Sequence, residues 1–340
     1  MSAGTPTLLA RLSLNQQTVR QWSLPELADG CARAGVRGVG LWRAPVRDYG
    51  VAAAARLVRD AGLSVTSLCR GGFFTALEPG ERAAALDDNR AAIDEAAALG
   101  TDTLVLVSGG LPDGNRDLRG ARERIADALA ELGPYAAERG VRLAIEPLHP
   151  MYAADRCVVS TLAQALDLAE RFPVEQVGVV VDTYHLWWDD TIGAQIARAG
   201  GMGGAAGEWG QGGVLSVRGG GRVTGEWGQG GVLSVRGGGR VTGEWGQGGV
   251  LSVRGGGRVT GGRIAAFQLA DWITPLPEGV LLGRGQLGDG SVDLRWFRER
   301  VDATGYRGPV EVEIFNPGLW ARDGAEVLAE VVDRFTAHVV

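Results

Sequence analysis

Glu146, Asp182, His185, Gln268, Asp271, Glu311 and Glu313 lie far apart in the chain, yet each sits at or near the end of an apolar run: AIEPLHP, VGVVVDTYHLWWDD, FQLADW and EVEIFN. A carboxylate there is costly unless it is paired or bound to a cation. Glu146, Asp182, Gln268 and Glu313 together supply four oxygen donors, which converge on one divalent ion if their strands are neighbours. Hard oxygen ligands favour Mn²⁺ or Mg²⁺ over a structural zinc. Each residue also has a plainer reading. A single acid can be a strand-end ion pair, His185 a packed core histidine, Asp271 a turn cap or a group orienting a ligand, and Trp187, Trp188 and Phe315 pocket walls or ordinary packing. Of the two acids flanking Val312, Glu313 is expected to face the interior and Glu311 the helices. Arg43, Arg70 and Arg284 follow the second, third and seventh apolar runs and are candidates to hold a carboxylate, phosphate or hydroxyl group, with a solvated surface role as the alternative.

These residues need strands to hold them side by side. The uninterrupted run Val177–Val181 suggests a strand covered on both faces, as in a parallel sheet flanked by helices. The same strand-then-helix unit occurs eight times, with strands starting near residues 8, 36, 63, 103, 141, 177, 264 and 309. Helix signals fall between them: Ser23, Pro25 and Glu26 form a capping pattern, and Gly62 marks a stop. The reading is an α/β fold, a (β/α)8 TIM barrel forming a single domain over 1–340; a doubly wound open sheet is the alternative. In such barrels the site lies at the C-terminal ends of the strands.

One segment does not fit the pattern. GEWGQGGVLSVRGGGRVT occurs three times without change, filling residues 207–260 of a glycine-rich insertion, 202–262, between helix six and strand seven. Seven glycines per copy leave little to bury, so a tandem duplication tolerated at the surface is the leading reading. The RGGGR tracts beside Trp also resemble segments that contact single-stranded nucleic acid, and VLSV with RVT could pair as short hairpins. An exit between helix six and strand seven lies on the N-terminal face, away from the site.

Composition narrows the class. A net charge of −6 argues against nonspecific nucleic-acid binding. No apolar run has the length of a membrane span, and the N-terminus lacks a signal-peptide pattern, so a cytoplasmic protein without membrane contact is expected. Cys31, Cys69 and Cys157 show no CxxC spacing and read as buried thiols.

IEPL at 145–148, VDTYHLWWD at 181–189, FQLADW at 267–272 and EVEIFN at 311–316 resemble the xylose-isomerase-like TIM barrels of the sugar phosphate isomerase/epimerase family, over the whole chain outside residues 202–262. The resemblance implies one divalent metal held by Glu146, Asp182, Gln268 and Glu313. It also implies a small carbohydrate or polyol-derived substrate and a homo-oligomer. Epimerase members carry His at the position of Gln268; glutamine there resembles the dehydratases acting on dehydroshikimate or inosose. With only His149, His185 and His338, the chain cannot fill the multi-histidine sites of the family's endonucleases or of two-metal xylose isomerases. The expected reaction is proton transfer next to a carbonyl through an enediolate, giving isomerisation or epimerisation, with Glu146 and Glu313 as acid and base. His185 would hold a substrate oxygen, and Arg43, Arg70, His149, Trp187 and Arg284 complete the substrate contacts. A dehydratase using the same enolate and a non-catalytic sugar-binding barrel are the rivals.

Overall fold

The computed structural model describes residues 8–201, 214–218, 223–224, 232–236, 241–242, 250–254, 262–276 and 282–340. Eight parallel strands close into a barrel: β1 (Leu12–Asn15), β2 (Gly38–Trp42), β3 (Ser64–Gly72), β4 (Thr103–Val107), β5 (Arg142–Ile145), β6 (Val177–Asp182), β7 (Ile264–Leu269) and β8 (Val310–Val312). Closure occurs where β1 meets β8, with Leu12 opposite Val310 and Leu14 opposite Val312. The open-sheet alternative is thereby excluded.

Local chemistry accounts for most boundaries. In the helix Leu24–Ala34, Ser23 Oγ accepts from the Glu26 backbone, while a Glu26 carboxylate oxygen accepts from the Ser23 N–H at 2.7 Å. Gly62, at φ +71°, follows the helix Val51–Asp60 and takes the left-handed conformation that lets the chain turn into β3. Two boundaries differ from expectation. Leu8–Arg11 form a 3₁₀ turn, so β1 begins at Leu12 rather than near residue 8. Arg43–Tyr49 form an additional short helix, with Pro45 in its first turn, where a missing N–H costs little.

The strands bury both faces. Outward residues join the large core beneath the helices, whereas Cys69, Val105, Ala144, Val180 and Ala266 pack together as a separate cluster. Alternate residues share a face of a strand, so Glu146, Asp182 and Gln268 project on the same side as Ala144, Val180 and Ala266. Pairing aligns them, with Asp182 opposite Gln268 and Gln268 opposite Glu311.

The insertion leaves after the helix Ile192–Ala199 and returns just before β7, where the Arg263 N–H donates to Ala199 O at 2.5 Å. Its ends therefore meet at the N-terminal face. Val214–Arg218, Val232–Arg236 and Val250–Arg254 are parallel strands paired in register, as are Val223–Thr224 and Val241–Thr242. Each pairs with its counterpart in the next copy, not within a hairpin; identical sequence allows the same backbone register to repeat. The tryptophans and RGGGR glycines of the repeat lie outside the described residues. Among the described residues no helix is long and apolar enough to cross a membrane.

Candidate active site

A cavity of about 180 Å³ opens at the C-terminal end of the barrel, lined by Glu146, His185, Arg284, Glu313, Arg70 and Arg156 and walled by Trp42, Leu148 and Phe315. β5, β6 and β8 end in its acids, while Arg284 comes from the short strand Arg284–Gly285 that pairs with Asp271–Trp272 beyond β7. Glu146, Asp182, Glu313, His185 and Arg284 are all buried.

Arg284 binds the acids together. Its Nη1 donates to Asp182 Oδ2 at 3.3 Å, Glu313 Oε2 at 3.0 Å and the Glu313 carbonyl at 3.1 Å. Its guanidinium lies between the rings of Tyr184 and Phe315, 4.8 and 4.7 Å from their centroids. Burial alone would depress the arginine's pKa, but Asp182 and Glu313 raise it further, so it stays charged.

One arginine does not balance three acids. Burial, then the neighbouring Glu313 and Asp182 charges, hold Glu146 well above the usual carboxylate range. Glu313 is pushed up to about 8, by burial first and Asp182 next, against the opposing pull of Arg284. Asp182 is raised by burial, partly offset by Arg284. His185 is held well below its usual value by burial, then by Arg284 and His149, and is neutral. Its Nδ1 lies 3.2 Å from the His149 backbone nitrogen, and its Nε2 lies 3.2 Å from Arg284 Nη2 and 3.7 Å from Asp182 Oδ2.

The donor set suits a divalent cation. Carboxylate oxygens of Glu146 and Asp182 and a His185 nitrogen lie within 4.8 Å of one another. Gln268 Oε1 and Glu313 Oε1 are buried without a hydrogen-bond partner among the described residues, the condition expected of a ligand atom awaiting a cation. Gln268 Nε2 donates to Glu311 Oε1 at 3.1 Å; because that carboxylate only accepts, the amide oxygen is turned the other way.

Glu311 corrects an expectation. It does not face the helices: side chains two residues apart share a face, and both Glu311 and Glu313 point inward at different depths. Glu311 accepts from Asn15 Nδ2 at 2.7 Å and from the hydroxyls of Thr66 and Ser67, each at 2.8 Å. Gly40 makes the room, since a Cβ there would stand 2.4 Å from Glu311 Oε1.

The remaining sequence candidates separate into two groups. Arg70 and Arg284 line the cavity, but Arg43 does not: its donors are taken by Asp88 at 2.8 Å and Glu95 at 2.8 Å on the helix Pro79–Leu99. A residue at a strand end can turn outward as readily as inward, and sequence alone does not distinguish the two. His149 and Trp187 stand behind His185 rather than on the cavity, His149 stacked on Trp272 at 5.0 Å and Trp187 against Trp272 at 5.4 Å. Trp188 Nε1 donates to His185 O at 2.8 Å. Asp271 caps the turn after Arg284, accepting the N–H groups of Gly288, Gly290 and Val292 at 3.0 Å each. Arg156 was not a sequence candidate; it lies in an irregular loop without periodic signal and reaches the cavity only because Gly109 and Cys157 bridge that loop to the end of β4.

The solved structures similar to this chain include protein SMc04130 from Sinorhizobium meliloti 1021, at 38% identity and TM-score 0.77, over 97% of this chain and 99% of that one. An IOLI protein with a bound zinc atom aligns at 17% identity and TM-score 0.67, over 97% and 98%. D-allulose 3-epimerase from Methylomonas sp. aligns at 17% and 0.64, over 97% and 98%. No curated protein matches the sequence. The family model described as xylose isomerase-like TIM barrel matches residues 28–331, and with the closed barrel this establishes that the chain belongs to that family.

Proposed function

We propose that the protein is a divalent-metal-dependent isomerase or epimerase that moves a proton next to the carbonyl of a small carbohydrate or polyol-derived substrate. The observation that carries this reading is the pair Glu146 and Glu313: two buried carboxyls on one cavity, both with raised pKa, arising from strands on different sides of the barrel. Groups of raised pKa exchange protons near neutral pH. Glu146, Asp182, Gln268 and Glu313 would hold the ion, with Mn²⁺ or Mg²⁺ favoured by their oxygens. When bound, the ion supplies Lewis acidity toward substrate oxygens. One glutamate removes the proton and the other returns it, and action on opposite faces inverts the carbon. His185 would hold a substrate oxygen, and Arg284 offers positive charge where an enediolate develops. The aromatic wall of Trp42 and Phe315, 5.5 Å apart edge to face, limits water. The epimerase named among the similar structures supports this reaction class.

Gln268 favours a second reading, a dehydratase in which the same proton removal is followed by loss of a β-hydroxyl. The deciding experiment begins with elemental analysis of wild type and Asp182→Ala. About one divalent ion per chain is expected in the wild type, with loss in the variant. The loaded enzyme is then incubated in D₂O with ketoses, inososes and dehydroshikimate. Deuterium next to the carbonyl with an epimeric product supports the first reading, and an unsaturated product the second. Neither metal nor exchange in any substrate would leave a binding barrel.

A further inference from the structure

Most buried and half-buried arginines near the barrel have acceptors among the described residues. Arg43 donates to Asp88 and Glu95, Arg284 to Asp182 and Glu313, and Arg142 and Arg263 to backbone carbonyls. Arg70, at the end of β3, donates a side-chain hydrogen bond to no described residue. Its guanidinium lies 4.2 Å from the centroid of the Phe73 ring and opens on the cavity. Arg156 lines the same cavity, and its ionic contact is a 3.5 Å approach to the exposed Asp155 next to it. Both backbones are held in place. Arg43 Nη1 donates to Arg70 O at 3.3 Å, and the Arg156 loop is tied to Tyr152 O and to the Gly109 N–H at 2.9 Å each. Burial lowers the Arg70 pKa, with the positive charge of Arg156 adding to the effect and Cys69 and Glu146 opposing it. Glu146 and Glu313 share the cavity but accept no hydrogen bond from either guanidinium, so both forks keep N–H donors directed at the space between, and that fork matches a carboxylate or phosphate.

We propose that Arg70 and Arg156 form an anion subsite of the cavity, so that the natural substrate is a carboxylate- or phosphate-bearing sugar or polyol. This rests on reading the cavity as the reaction site. The test compares D-sorbitol, D-sorbitol 6-phosphate and D-gluconate by calorimetric titration of the Mn²⁺-loaded protein at low ionic strength. At least one anion should bind about ten-fold more tightly than sorbitol, or about 1.4 kcal/mol, and which anion does so separates phosphate from carboxylate. In Arg70→Met/Arg156→Met the preference should fall below about three-fold, whereas Arg70→Lys should keep part of it. Arg156→Gln alone, at a half-exposed position, should lower the preference by about three-fold, so the comparison survives misfolding of the double variant. Equal affinities, no binding of either anion, or a preference unchanged by the variants overturns the subsite. An anion preference with no proton exchange in D₂O would sink the functional reading and keep the subsite; exchange on neutral sugars without anion preference would do the reverse.

Discussion

Glu311 and Glu313 leave the same strand on the same face and meet opposite conditions one layer apart. Glu311, deeper in the barrel, is surrounded by donors from Asn15, Thr66, Ser67 and Gln268. Glu313, at the cavity, shares one arginine with Asp182 and keeps one oxygen without a partner. Burial is similar, so partners make the difference. A carboxylate whose lone pairs are all used serves the fold, whereas one left short is available for a proton or a cation.

The strongest way to break that contrast is to neutralise the acids of the upper layer. Glu146→Gln or Glu313→Gln should lower turnover by about 10²–10⁴-fold with cooperative unfolding retained, since each replaces a poorly partnered buried carboxyl by a neutral group of the same shape. Near wild-type rates in either variant would remove the acid–base assignment. Glu311→Gln should behave differently. It brings an amide among donors that need an acceptor, at a cost of about 3 kcal/mol in urea unfolding. It also releases the Gln268 anchor, which should weaken metal affinity by about 10–100-fold in chelator competition. Unchanged stability and affinity would show that the deeper layer is not the support described here.

The pH response sharpens the same point. The folded-state pKa of Glu313 lies near 8, above its unfolded value, so the metal-free native state holds a proton that the unfolded chain releases. Stability should be greatest below the unfolded carboxylate range and fall, by up to about 1.4 kcal/mol per pH unit, until the pH passes 8. Metal should flatten the fall by favouring the ionised carboxylates and should release protons on binding. Thermal melts from pH 5 to 9, with and without Mn²⁺, measure both; a metal-free protein that gains stability over this range would contradict the protonated Glu313. The smallest effect is expected from deleting residues 207–260. The flanking segments meet through Arg263 and Ala199, and shortening such a loop changes closure free energy by only about 2 kcal/mol. Activity within two-fold of wild type is expected, and loss of cooperative unfolding would make the repeat part of the core.

Much of this site could be read from the chain because strand-end chemistry is local. An apolar run ending in a carboxylate marks Glu146, Asp182 and Glu313 wherever the strands go, and eight strand–helix units mark the barrel. Side-chain direction was less accessible. Arg43 and Arg70 occupy equivalent places after β2 and β3, yet one is held by helical acids and the other opens on the cavity. Two-residue periodicity already puts Glu311 on the face of Glu313, and only the difference in depth came from the fold. Arg156 carried no periodic signal, because its place depends on a loop bridged to β4.

Strand–helix alternation, the caps and the acids at the ends of β5, β6 and β8 are consequences of short-range patterning and can be read from the chain alone. Closure, the set of side chains that share the cavity and the number of donors each acid receives come from the fold. They depend on register between distant strands, and so does the raised pKa of Glu313.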